Sequence, residues 1–472
     1  MSATKDVVVG LDLGTTRSKA LVRDLSGHQA ALAEAATPWT TGEGGTETSA
    51  QAVLGLAVDL LDRAVQAAEQ RIGRVQVLGV GVTGLAESGV LLDPSGEPCA
   101  PVIAWFDVRG TREAQQLNSR APLVADQFAR RTGLPWDCQA SMAKLLWLQS
   151  SGLALTPAHR WSSVPEWIVH QLGGYLVREP SLASRTGLVD QATGDIWQEG
   201  VSEAGLPTTL LAPPVGAGNA VGSLEFAGLP ASLQGAALTV AGHDHPVAAV
   251  GAGAVGPDEL FNSSGTADVV ARSLPGILDD DRRELLVRSG LSAGAHVLPE
   301  TTLVLGGVRG GLLMRRVLGA LGSERSPERD RLDRAALTVG ALPPGLEVSG
   351  AGRTGDDVVL RMRDDVTPAH IWAAATRYTA AEAGGLIETI NAVAGPHGRA
   401  VACGGWTRMA SVRAAKRSVI ARLQFSTVRE PGVLGAALFA GQAAHVEPVT
   451  AASAIRRITT DHWISISLGG AT

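Results

Sequence analysis

An apolar run, Val7-Val8-Val9-Gly10-Leu11, ends in Asp12-Leu13-Gly14-Thr15-Thr16. The carboxylate closes the run, where a hard oxygen suits a divalent cation. Gly14 lets the chain turn sharply and approach a ligand with no Cβ in the way. Thr15 and Thr16 add hydroxyls and N–H groups, the donors a terminal phosphate needs. Lys19 follows on the returning segment and adds positive charge. An ordinary hairpin with Asp at its turn is the alternative. In the second half of the chain Ser263-Ser264-Gly265-Thr266 repeats this donor chemistry, again with a plain glycine turn as the alternative.

Ala241-Gly242-His243-Asp244-His245-Pro246 follows another apolar run and precedes a helical pattern. A carboxylate there sits at the carboxyl edge of a sheet, where α/β proteins bind ligands. Asp244 in that place can accept a proton from an attacking hydroxyl. Two other readings stay open: the His-Asp-His run as metal ligands, and Asp244 as a helix cap. Val401-Ala402-Cys403-Gly404-Gly405 runs into paired glycines that leave room for a flat ring or ribose, or simply mark a strand-to-helix turn. Glu87 lies between Gly84 and Gly89. Trp105, Asp107 and Arg109 group an aromatic face, an acid and a guanidinium, the kind of set that holds sugars. Core packing of Trp105 and a surface Asp107–Arg109 ion pair are the bland alternatives.

The elements that must position these groups follow an α/β grammar. Residues 7–12 and 18–24 read as a strand pair, 29–36 as a third strand, 48–72 as an amphipathic helix and 75–82 as a buried strand. In the second half, 238–242 reads as a strand, 245–255 as a helix, and 259–262 with 267–271 as a hairpin. A long helix over 368–393, a strand over 399–403 and a Gly-Ala helix over 431–444 follow. Gly-Thr thus sits in a hairpin turn twice, a faint internal repeat that suggests two related halves. The Pro/Gly/Ala-rich stretch 212–235 places the boundary near 237, giving domains 1–237 and 238–472. Residues 458–472 carry no clear pattern.

At 472 residues the chain exceeds one core, and 45% hydrophobic content excludes a mainly disordered chain. The formal charge is −6 with no long basic run, which argues against a nucleic-acid or anionic-membrane surface. Of 40 basic residues only Lys5, Lys19, Lys144 and Lys416 are lysines, so each is more informative than usual. Three scattered cysteines suit a reducing, cytoplasmic setting rather than a disulfide or thiolate-zinc framework. Neither a signal-peptide pattern nor a membrane-length apolar run is expected.

Taken in order, these pieces resemble the FGGY carbohydrate kinases, two-domain proteins of actin-like, ribonuclease H-like fold with an interdomain cleft. The resemblance rests on residues 10–16, 83–93, 103–109, 241–244, 264–266, 404–405 and 431–437 and covers nearly the whole chain. It implies ATP-dependent phosphorylation of a sugar or polyol hydroxyl, such as one on a pentulose. Asp244 would be the general base and Asp12 would hold Mg2+. Gly14, Thr15, Thr16, Lys19, Gly265, Thr266, Gly307, Gly404 and Gly405 would contact ATP. Glu87, Trp105, Asp107, Asp244 and His245 would contact the sugar. Leu85-Ala86-Glu87-Ser88 and His245-Pro246 depart from the xylulose and glycerol kinase patterns. A homodimer is the partner to test for, since dimers are frequent in such families. A degenerate sugar-sensing homologue and an actin-like ATP-binding module are the competing readings.

Overall fold

The computed structural model describes residues 4–256, 259–350, 357–363 and 365–446. The unassigned stretch 458–472 lies outside the described residues.

Two sheets form the frame. In the first, the order is 237–243, 75–84, 5–13, 17–24, 29–36. Strand Lys5–Leu13 pairs antiparallel with Arg17–Asp24 and parallel with Val75–Gly84, which pairs parallel with Ala237–His243. The second sheet repeats the plan: Glu259–Ser264 pairs antiparallel with Asp268–Pro275 and parallel with Arg399–Cys403. Strands 301–308 and 423–425 stand where 29–36 and 237–243 stand in the first sheet, and 292–295 is added at one edge. The Gly-Thr repeat seen in the sequence therefore marks the same hairpin in two copies of one topology.

Helix Ala50–Ile72 starts at Ser49, whose side chain accepts the Ala52 N–H, a good N-cap for a helix of this length. It buries Val53, Leu60, Leu61 and Ala64 against the first sheet. Its stripe at helical spacing is why 48–72 reads correctly from sequence. The segment between the fourth and fifth strands of that sheet folds as an added subdomain. It contains Thr111–Arg120, Pro122–Thr132 and Ser141–Ser150, around Phe128, Leu145, Trp161 and Trp197, while Val164–Gln171 packs into the core of the first sheet.

Strand Ala237–His243 completes the first sheet, so by sheet membership the chain leaves that sheet at helix Asp244–Ala252, just after the expected boundary. Helix Pro431–Ala443 returns to pack on the first sheet. Glycines make that return possible. A Cβ on Gly10, Gly79 or Gly81 would lie 2.1, 2.4 or 2.2 Å from the backbone oxygens of Val433, Ala440 and Ala436 respectively. The three glycines form a flat bed on adjacent strands, and the helix backbone lies on it. Among the described residues no helix is long and apolar enough to cross a membrane.

Gly81→Ala should lift this helix from the sheet and cost about 1–3 kcal/mol, the range for overpacking a filled core. Urea unfolding measures it. An unchanged midpoint would mean that the helix does not rest there.

Candidate active site

The carboxyl ends of three neighbouring strands bring the first groups together. Asp12 lies in register with Lys19 on one side and Thr83 on the other. Thr83 in turn faces Gly242, and its hydroxyl donates to the Gly242 carbonyl at 2.7 Å. The register shifts between Val240 and Gly242, and Gly242 has φ 108°, a conformation that favours glycine. This kink ends the strand at His243 and delivers Asp244 just beyond the sheet edge. Asp244 is the first residue of its helix and His243 is the cap, so the cap reading of Asp244 is corrected.

Asp12 and Asp244 feel each other's charge. Burial, then Asp244, raises the Asp12 carboxyl to about 7, Lys19 opposing and Glu430 adding to the rise. Asp12 Oδ1 is buried and has no hydrogen-bond partner among the described residues. Burial works on Asp244 too, but His245 and His243 outweigh it and hold that carboxyl at about 2. The His243 Nε2–H donates to Asp244 Oδ1 at 3.2 Å, and His245 Nδ1 lies 3.9 Å from the same oxygen. Burial depresses His245, with Asp244 opposing. The ligand atoms of this His-Asp-His set lie within 4.8 Å of one another, so its geometry leaves the metal-ligand reading open.

Lys19 is close by, but its ammonium is ion-paired with Glu430, a residue that sequence reasoning missed. Glu430 immediately precedes the closing helix. It acts on Asp12 in the first lobe and on Cys403 in the second. The Gly14–Thr16 turn is bound from one side: Trp39 Nε1 donates to the Thr15 carbonyl at 2.7 Å and Trp105 Nε1 to the Thr15 hydroxyl at 2.9 Å.

On the sugar side, Glu87 is ion-paired with Arg185 at 2.8 Å, and Arg185 reaches Ser292 of the second lobe at 2.8 Å. Burial would raise Glu87, but Arg185 and His243 hold it below the usual carboxylate range. Arg185 lies outside every segment singled out from the sequence. Trp105 is partly buried against the first core and stacks edge-on with the exposed Phe106. Asp107 is not in the surface ion pair expected: its side chain is 2% exposed. Its carboxylate takes the Thr46 N–H, the Arg109 N–H at 2.8 Å and the Arg109 guanidinium at 2.9 Å. Lys144 braces this corner through the Asp107 and Arg109 carbonyls.

In the second lobe the Gly265–Thr266 turn meets helix Gly310–Ala320. Leu312 N–H donates to the Thr266 carbonyl at 3.0 Å, and a Cβ on Gly311 would lie 1.8 Å from the Gly265 carbonyl. That helix start, close to an exposed turn, offers N–H groups to an anion. Gly307 lies in the preceding strand against Val269. Gly404 approaches the Ser264 carbonyl, and nothing lies within 4 Å of where a Gly405 Cβ would sit. A buried network holds the hairpin: Lys416 Nζ binds Asp268 at 2.6 Å and Asn262 at 2.8 Å. A cavity of about 580 Å³ lies behind Gly242, walled by Glu179, His296, Val297 and Phe439, and Asp12, Thr15 and Asp244 do not line it.

A family model described as the FGGY family of carbohydrate kinases, N-terminal domain, matches residues 7–251. A glycerol kinase of Janthinobacterium sp. (strain Marseille) is 26% identical over 401 residues, 81% of this chain and 78% of that one. The xylulose kinase from Rhodospirillum rubrum has a similar structure, with a TM-score of 0.80 at 22% identity over 96% of this chain and 92% of that one. Plasmodium falciparum glycerol kinase with ADP gives a TM-score of 0.83 at 16% identity over 97% and 93%. At these identities the two structures share the fold, an actin-like, ribonuclease H-like pair of α/β domains with a cleft between them.

Arg185→Leu would strand Glu87 as a buried, unpaired carboxylate, at a cost of about 3 kcal/mol near neutral pH. The wild-type pair stabilises above about pH 4.5, the ordinary Glu value, and its contribution fades as Glu87 takes a proton. Urea unfolding should therefore show a variant deficit that is large at pH 7 and shrinks toward pH 4. A deficit independent of pH would contradict the pairing.

Proposed function

The chain belongs to the FGGY family of carbohydrate kinases, and from that premise we propose that it transfers the γ-phosphoryl group of ATP to a hydroxyl of a small ketose, such as a pentulose, or of a polyol, with Asp244 as the base. Family membership makes it a phosphotransferase with an alcohol group of a sugar or polyol as acceptor. The observation that carries the finer reading is the pairing of two unlike carboxylates at one sheet edge. Asp244 is held ionised by its neighbours, and Asp12 Oδ1 has no hydrogen-bond partner among the described residues.

A sugar hydroxyl is a poor nucleophile. With a carboxyl near 2, Asp244 is a weak base, which suits a loose transition state in which the proton leaves late, as the new P–O bond forms and the bond to ADP breaks. His243 and His245 hold the carboxylate at the start of its helix, where the hydroxyl would approach it. Most of the acceleration must come from positioning and from donors around the phosphates. We assign that role to Gly14, Thr15 and Thr16 in the first lobe and to Gly265 and Thr266 in the second. The start of helix Gly310–Ala320 supports the second turn. Gly404 and Gly405 are assigned to the adenosine, and Gly307 to the nucleotide-side strand. Glu87, Trp105 and His245 are assigned to the sugar. Asp107 would orient that side through Arg109 and Thr46 rather than by a free carboxylate.

The residues fit a divalent cation: Asp12 Oδ1 is a buried oxygen with no partner, on a carboxyl that burial destabilises as an anion. Bound Mg2+ would neutralise charge on the phosphate oxygens. Lys19, ion-paired with Glu430, would tune Asp12 and lie beside the phosphates. The proposed lobes divide near 237–243, the first on the sugar side and the second on the nucleotide side.

Asp244→Asn should lower turnover by about 10²–10⁴-fold and leave ATP binding within a few fold. A coupled ADP-release assay over ketoses, polyols and sugar acids reads both the loss and the substrate class. Undiminished turnover in the variant would remove Asp244 from the mechanism. No stimulation of the wild type by any acceptor, with ATP still bound, would favour the sugar-sensing alternative.

A further inference from the structure

The Gly14–Thr16 turn has a one-sided arrangement that the assignments above do not use. All three of its carbonyls are bound from one side. Gly14 O accepts from Thr37 Oγ1 at 2.6 Å, Thr15 O from Trp39 Nε1 at 2.7 Å, and Thr16 O from the Thr37 N–H at 3.2 Å. The remaining polar groups of the turn are donors, except the Thr15 and Thr16 hydroxyls, which can act either way. For Thr15, Trp105 decides which. An indole N–H can only donate, and it donates to Thr15 Oγ1 at 2.9 Å. With that lone pair occupied, the hydroxyl proton must turn to another acceptor. Among the described residues no acceptor is recorded for it. Thr15 stays partly exposed, so the proton is free for an oxygen from outside the protein.

We propose that Trp105 is a positioning residue that acts through Thr15: its N–H fixes the Thr15 hydroxyl as a donor toward the phosphate of the bound nucleotide. This rests on the reading of the turn as a phosphate contact. Trp105 also belongs to an aromatic corner, 5.5 Å from Phe106, which in turn lies 6.3 Å from Trp39. One side chain thus meets the sugar-side corner with its ring and the phosphate turn with its N–H edge. That arrangement links the two substrates without any contact between them.

The test separates ring from N–H. Trp105→Phe keeps an aromatic face and removes the donor. Incorporation of benzothienylalanine at position 105 does the same with the shape of indole retained, should the Phe variant melt early. Either change should lower kcat/KM for ATP by about three- to tenfold, the worth of one hydrogen bond. ATP hydrolysis measured without sugar should fall by the same factor. Thr15→Val should lose at least as much, and the Trp105→Phe/Thr15→Val double variant should match Thr15→Val alone, because no hydroxyl remains to orient. Multiplying losses in the double variant, or a change confined to the sugar KM with sugar-free hydrolysis intact, would overturn the proposal. Asp244→Asn serves as the control. If it still abolishes sugar phosphorylation while the tryptophan variants behave normally, the positioning role fails and the kinase mechanism stands.

Discussion

Two carboxylates at one sheet edge set the terms for everything else in this protein. Asp12 and Asp244 are brought toward each other by strands that hydrogen bonds hold in register, and burial makes each charge costly. The structure resolves the conflict unequally. Asp244 receives two imidazoles and stays ionised, whereas Asp12 receives no partner on one oxygen and is pushed toward neutrality. Pairs of acids whose surroundings drive their pKa values apart are a recurring way of dividing roles in a catalytic site.

Holding such a pair requires close backbone packing beneath it. The closing helix starts beside Asp12, where a Cβ on Gly432 would lie 2.6 Å from Asp12 Oδ2, and continues over Gly10, Gly81 and Gly79. The same helix packs on Asp244–Ala252, with Gly251 and Gly435 at the contact. The high glycine content is thus partly a cost of bringing two lobes to one point. The rare lysines work similarly: Lys19 pairs with Glu430, Lys144 braces the Asp107–Arg109 corner, and Lys416 anchors the second hairpin. Each holds a segment that carries proposed site groups.

Much of this was legible in the sequence where local pattern and chemistry coincide. Strand 29–36, strand 399–403 and the helix ending at Ile72 were readable because alternation, helical spacing and capping act within a short window. The repeated Gly-Thr turn exposed the duplicated topology. What was not legible depends on residues distant in the chain. Nothing near Arg185 announces that it pairs with Glu87, and nothing near Glu430 points to Lys19. Trp39 gives no local sign that it binds Thr15. The 111–150 helices escaped notice because they form a separate cluster around Phe128 and Trp161 with no chemical motif to draw attention. Asp107 was legible as important but not in its role, since its ion pair is buried and shared with the Thr46 backbone.

The central claim is that Asp12 and Asp244 meet at one sheet edge and repel each other. Carboxyl-labelled aspartate NMR of the ligand-free protein measures it directly. The account predicts that one aspartate titrates near pH 7, disappears in Asp12→Asn, and shifts to lower pH in Asp244→Asn. An Asp12 signal titrating in the ordinary carboxylate range, or one indifferent to the loss of Asp244, would contradict it.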